Sequence, residues 1–442
     1  MRIKSIVDEL NKLRITIKVQ GGELKASGPG RAITEDIIGK IKANKEALIE
    51  YLQSTAGGTS VNHRMAATTL NGNEPLFDDA PCRPLSFSLF YFGNAETNDE
   101  QEKYKLLIEG AKYADANGYA AVWTPERHFN KFGGLYPSPS VLGAALSVIT
   151  KNIAIRAGSV VLPLHNPLRI AEEWAVVDNL SGGRVGIACA PGWQANDFVL
   201  SPGAFENRHE IMYRYIQIIQ KLWAGEKMSL DKGNGTLIDT QIYPLAIQKE
   251  LPIWITSKGS IDTFISAGKL GFNILTHLLG ETVEELAVKI QAYRKAYKEN
   301  GHDIRRSKVV LMLHTYIGND LQLVHEEARV PFINYLRTSL GLIKYDAKAM
   351  GFDLESGNLS SQDIEYILNY AFSRYVTHSS LIGTKESCLG MLQKISAIGV
   401  DEVAALIDFG IDSNAVMKSL VHLTEVKESY KEKSANYSFN DF

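Results

Sequence analysis

From residue 84 onward, continuous apolar runs alternate with amphipathic stretches of helical period. Eight runs stand out: 85–91, 119–123, 153–161, 185–189, 252–256, 272–276, 309–316 and 403–408. Unbroken rather than alternating hydrophobicity suits parallel strands buried on both faces, and segments such as Tyr104 to Asn117 supply the crossover helices. The pattern predicts an α/β fold, a (β/α)8 barrel. Punctuation agrees: Asn166-Pro167 offers an N-cap and first-turn proline, and Gly182-Gly183 ends that helix before the fourth run. Two insertions break the rhythm. Residues 229–243 read as a hairpin around Gly233-Asn-Gly235, and residues 318–380 as a long helical excursion that is either a lid or a packing or oligomer element.

Residues 1–53 form a separate small α+β unit. Ile3, Ile6, Val7, Leu10 and Leu13 share one helical face, and a second helix from about Thr34 carries Ile37, Ile38, Ile41, Leu48, Ile49 and Leu52. Between them, Ile15 to Val19 and Glu23 to Ser27 flank Gly21-Gly22 as a hairpin. So small a unit buries little core and is expected to depend on a partner or on self-association. The Ser, Thr, Gly, Ala, Asn and Asp composition of residues 54–82 predicts a flexible linker. The barrel is then assigned to 83–430 and a C-terminal tail to 431–442.

A net charge of −3 over 442 residues gives no electrostatic reason to expect nucleic acid or membrane. Cys82, Cys189 and Cys388 are odd in number and lack metal-ligand spacing, so no zinc site or disulfide framework is expected. With no signal segment or long apolar run, the expected compartment is the cytoplasm. There is no GxGxxG after a strand, no GxxxxGK[ST], no HExxH and no GxSxG.

Polar residues at the C-terminal strand ends of a parallel barrel converge on one pocket. Glu126, Arg127 and His128 directly follow the second run; a histidine beside a carboxylate and a guanidinium suits proton transfer, and equally a structural ion pair. Tyr91, His165, Asn166, Trp193 and His277 fall at other strand ends as candidate pocket residues. Ser257-Lys-Gly-Ser260 sits where a strand turns into a helix. Its hydroxyls, backbone N–H groups and Lys258 could bind a phosphate, although Ser and Gly are also ordinary capping residues. Gly158-Ser159 inside a buried run suggests close approach of a flat group, or a bulge.

Four stretches in order, Trp123 to Gly134, Val160 to Arg169, Leu180 to Trp193 and Ile255 to Ser260, resemble the bacterial luciferase-like monooxygenases over roughly residues 84–430. The Glu126-Arg-His-Phe129 form is typical of the branch associated with natural-product assembly lines. Residues 1–53 resemble the TubC-type docking domain of nonribosomal peptide synthetases.

The family resemblance implies reduced FMN from a separate flavin reductase, with O2 as co-substrate and a flavin hydroperoxide as oxygenating species, in a site that must exclude water. It implies that Ser257, Gly259 and Ser260 hold the FMN phosphate and that Gly158-Ser159 is a cis peptide under the flavin ring. It places Cys189 and Ala190 near the ring's reactive edge, with Cys189 one residue from the luciferase flavin-site cysteine. His128 is assigned proton management. Arg127 stands where the luciferase α subunit has a catalytic histidine, which argues against light emission and leaves open whether His128 takes that role or Arg127 clamps an anion. The expected function is hydroxylation, or another oxygenation, of a carrier-protein-bound aminoacyl or acyl intermediate. The expected partner is a nonribosomal peptide synthetase or polyketide synthase module, with self-association into a homo-oligomer. Two alternatives are a deazaflavin-dependent oxidoreductase on the same barrel and a non-catalytic docking or scaffold protein.

Overall fold

The computed structural model describes residues 84–93, 103–131, 133–257, 259–337, 347, 350, 352 and 359–438, together with the strands 16–20 and 23–27; side chains are not described for those two strands or for 433–438. The chain divides into two compact units, Met1–Asn71 and Gly72–Phe442. In the first, β1 (Thr16–Gln20) pairs antiparallel with β2 (Glu23–Ser27), the hairpin expected around Gly21-Gly22. The two flanking helices, the linker 54–82, Cys82 and Lys258 lie outside the described residues.

In the second unit, eight parallel strands close into a barrel. They are β3 (Ser86–Phe90), β4 (Ala121–Thr124), β5 (Ala154–Val161), β6 (Val185–Ala190), β9 (Ile253–Thr256), β10 (Asn273–His277), β11 (Val309–Ile317) and β13 (Glu402–Leu406), and the β10–β11 pairing joins the ends. Each lies within or one residue beyond an apolar run of the sequence. The hairpin of the first insertion is β7 (Met228–Asp231) with β8 (Leu237–Thr240), antiparallel. It joins a helix to a strand and so lies at the end of the barrel away from the strand C-termini.

Alternation along the strands sorts the core into two layers. Val122, Ile155, Ile187 and Leu311 pack outward under the helices. Phe90, Trp123, Ala188, Trp254, Val310 and Ala404 point inward. The lumen is plugged by a buried ion pair, Arg156 reaching both Glu402 oxygens at 3.0 and 2.9 Å while lying 4.9 Å from the Trp123 ring and 4.7 Å from that of Trp254. Burial alone would raise the Glu402 carboxyl; the guanidinium and the donors Ser88 and Trp123 outweigh it and hold it below the usual carboxylate range.

The second insertion is helical where described, with α7 (Leu321–Arg337) and α8 (Ser361–His378), followed by β12 (Leu381–Gly383), which pairs with the end of β11. Its Phe332 and Tyr335, with Phe409 after β13, close around the His314 ring at centroid distances of 4.6–5.4 Å. Burial pushes that imidazole down to about 3, so it is neutral. The last helix, α10 (Ser413–Ser438), runs straight through the boundary drawn at 430. Among the described residues no helix is long and apolar enough to cross a membrane.

Candidate active site

Glu126 is the hub of the loop after β4. It is 6% exposed, and both of its oxygens are engaged. Oε2 accepts from the Val161 backbone N–H at 2.7 Å, at the end of β5. Oε1 lies 2.7 Å from His128 Nε2 and 2.5 Å from His165 Nε2. An ionised carboxylate only accepts, so both imidazoles present Nε2–H to the same oxygen. Burial would raise the Glu126 carboxyl, but the two imidazoles, the positive charge of His165 and the Val161 N–H outweigh it and hold it low. Burial conversely opposes a charged His165, yet the bond and charge of Glu126 win and raise that imidazole above its ordinary value. The result is a buried carboxylate that steadies protons on two histidines. Those ligand atoms lie within 4.8 Å of one another, a donor set that could also hold a metal ion.

Arg127 points elsewhere. It is 4% exposed, donates to Asp197 Oδ2 at 3.0 Å and lies 5.1 Å from the ring of Trp193, which is half exposed above it. Burial pushes the Asp197 carboxyl up, more than Arg127 pulls it down. The loop is tied at its far side. Arg127 N–H donates to Tyr136 O at 3.0 Å, and the Tyr136 hydroxyl donates to half-buried Asp408 at 2.6 Å. A cleft of about 440 Å3, lined by Arg127, His128, Phe129, Asn130, Lys131, Gly134 and Pro137, opens beside these residues.

Other expected residues divide clearly. The Gly158–Ser159 peptide is cis. A Cβ on Gly158 would stand 2.6 Å from the Phe90 ring and 3.2 Å from that of Trp123, so only glycine leaves this inner surface flat. Ser159 shares a hydroxyl hydrogen bond with Thr256 at 2.6 Å, linking β5 to β9. Ala190 is half-buried at the end of β6. Ser257 is buried, its Oγ accepting from Gly259 N–H at 3.3 Å, and exposed Ser260 is the N-cap of α5 (Ile261–Lys269) without a side-chain capping bond. This loop has the backbone donors and hydroxyls that suit a flavin phosphate.

Of the expected residues, Arg127 and His128 line that cleft, and three others are turned to different surroundings. Cys189 belongs to the outer layer with Tyr213, and burial pushes its thiol up, because strand alternation turns it away from the lumen that Ala188 faces. Tyr91 also faces outward, fully buried, with its hydroxyl 3.5 Å from Leu106 O. Asn166 is a helix cap: its Oδ1 accepts from Leu168 N–H at 2.9 Å at the start of α3 (Pro167–Ser181). His277 stays at the strand end, with Nδ1 accepting from Leu279 N–H at 3.1 Å. Asp197 and the Val161 N–H were absent from the sequence reading. Neither carries a motif, and both meet the Glu126 loop only where the neighbouring strands β4, β5 and β6 end side by side.

A family model described as luciferase-like monooxygenase matches residues 85–402, and one described as TubC N-terminal docking domain matches residues 3–54. The chain is 27% identical over 365 residues to the oxygenase component of the flavin-dependent trigonelline monooxygenase of Acinetobacter baylyi, covering 79% of this chain and 96% of that one. Its fold is similar to that of monooxygenase RslO1 from Streptomyces bottropensis, with TM-score 0.62, 17% identity and coverage of 77% and 98%. It is similar also to the oxygenating constituent of 3,6-diketocamphane monooxygenase from Pseudomonas putida, solved with FMN, with TM-score 0.60, 17% identity and coverage of 77% and 97%. The chain belongs to the luciferase-like, flavin-dependent monooxygenases, and carries a TubC-type docking domain at its N-terminus.

Proposed function

We propose that this protein is the oxygenase component of a two-component FMN system, acting on an aminoacyl or acyl group tethered to a carrier protein of a nonribosomal peptide synthetase or polyketide synthase. The observation that carries the tethered substrate is the docking-domain match at residues 3–54, joined in one chain to an oxygenase barrel. Reduced FMN, when bound, supplies the activation of O2. Ser257, Gly259 and Ser260 would hold its phosphate, and flat Gly158 would lie beneath its ring. Cys189, whose side chain packs in the outer layer, is left out of this proposal.

The chain's own groups do the rest. Glu126 holds Nε2–H on both His128 and His165, which fixes each ring and leaves its Nδ1 as the nitrogen that can take up or release a proton as charge changes at the reacting centre. His128 is the proton-handling group, with its side chain 12% exposed toward the cleft. Arg127 is a positioning residue: its bond to Asp197 and its packing under Trp193 tie the loop after β4 to the Ala195–Leu200 segment. The helical second insertion is assigned, in the same proposal, the role of a water-excluding cover. A homo-oligomer is part of the same proposal.

The test is turnover with FMN, a flavin reductase and NADPH over a panel of carrier domains loaded with acyl or aminoacyl groups, read by intact-protein mass. A mass gain of one oxygen atom on one carrier, lost when residues 1–54 are removed, is the expected result. Oxygenation of the free acid at the same efficiency overturns the tethered-substrate reading.

A further inference from the structure

We propose that Lys289 and Glu281 extend the Ser257–Ser260 loop into a site for a phosphorylated polyol, Lys289 taking the phosphate and Glu281 accepting from a hydroxyl of the same ligand. The proposal rests on the flavin reading above, since the ribityl phosphate of FMN has that chemistry. It adds two residues from outside the strand-end motif.

The two side chains come from the segment after β10. Glu281 precedes α6 (Val283–Glu299), and Lys289 lies on it. They form an ion pair, with side chains 8% and 16% exposed. The pair faces the loop at contact distance. A Cβ built on Gly259 would lie 3.1 Å from Lys289 Nζ and 3.4 Å from Glu281 Oε2, and Gly259 itself holds φ +107°, a conformation side chains rarely adopt. Glycine therefore keeps the space between loop and pair open.

Two features of the pair call for a ligand. Glu281 Oε1 is buried and has no hydrogen-bond partner, an unfavourable state that a donor would relieve. An ammonium has three donors, so Lys289 retains capacity beyond Glu281. An anion alone would leave Glu281 unsatisfied and would be repelled by it; a neutral polyol would not use Lys289. A phosphate carried on a chain of hydroxyls suits both.

Flavin-free full-length protein titrated with FMN and with riboflavin, read by flavin fluorescence, tests this. The wild type is expected to bind FMN at least tenfold tighter than riboflavin. Lys289→Met should weaken FMN by about tenfold and leave riboflavin unchanged, and Lys289→Arg should restore most of the preference. Glu281→Gln should weaken both flavins by the same factor of a few, because the ribityl hydroxyls are common to them. Wild type without preference for the phosphorylated flavin sinks the phosphate loop itself. A wild-type preference that survives intact in Lys289→Met sinks Lys289 alone, and unchanged binding of both flavins by Glu281→Gln removes Glu281. Should Lys289→Met fail to fold by circular dichroism, inorganic phosphate competition against wild type and Lys289→Arg decides: equal displacement of FMN supports the site, and no displacement in either overturns it.

Discussion

The two strand-end loops proposed to form the site, after β4 and after β9, are completed in opposite ways. Around Glu126 the protein supplies every partner: one backbone N–H and two imidazoles converge on a carboxylate with no oxygen left over. Around Ser257–Ser260 the cap hydroxyl makes no capping bond, and the neighbouring Glu281 has an oxygen without a donor. A buried polar group satisfied from within is suited to hold a charge or proton of its own. One left short is suited to receive a ligand. On the proposed reading, the first loop does the chemistry and the second does the holding.

The largest effect should come from the hub. Glu126→Gln is expected to lower the rate of substrate oxygenation by about 10²-fold or more while flavin affinity changes little, measured by product formation beside flavin titration. An equal loss of flavin binding would erase the distinction between the loops. Next is the surface between them. Gly158→Ala should cost about 1–3 kcal/mol in urea unfolding and weaken flavin binding, since the added methyl meets the Phe90 ring at 2.6 Å.

A smaller, pH-dependent effect follows from His165. Its folded-state pKa is raised by Glu126, so the pair's contribution to stability is full below the ordinary histidine value and is lost as pH rises through the raised value. His165→Gln should thus destabilise the protein more at pH 6 than at pH 9, by denaturant midpoint; the reverse order would mean that His165 is neutral in the pair. The smallest effect belongs to neither loop. Asn166→Ala removes the α3 cap and should cost about 1 kcal/mol without changing oxygenation.

Much of the fold was legible because burial on both faces leaves unbroken apolar runs, and each of the eight barrel strands lies at one of them. The hairpin at 228–240 was legible from its glycines. The site was legible in part. Glu126, Arg127 and His128 were visible as a polar triplet at a strand end, but the spacing did not say which of the two basic residues the carboxylate would hold. The structure gives it His128 and sends Arg127 to Asp197, a residue 70 positions away. His165 was expected in the pocket and became a second imidazole on the same oxygen. Cys189 and Tyr91 were misplaced for one shared reason: each turns outward on or just past its strand, and a one-residue difference in side-chain direction is beyond a motif comparison.

The sequence by itself determined the barrel, its order of strands, the family and the docking domain, because these rest on local periodicity and on contiguous motifs. Only the tertiary structure decided which side chains meet. Side-by-side pairing of β4 with β5 brings the Val161 N–H and His165 to Glu126, and that of β9 with β10 carries Glu281 and Lys289 to the Gly259 loop. Distances along the chain carry no record of such meetings, since they depend on the direction each side chain takes from a strand end in a closed barrel.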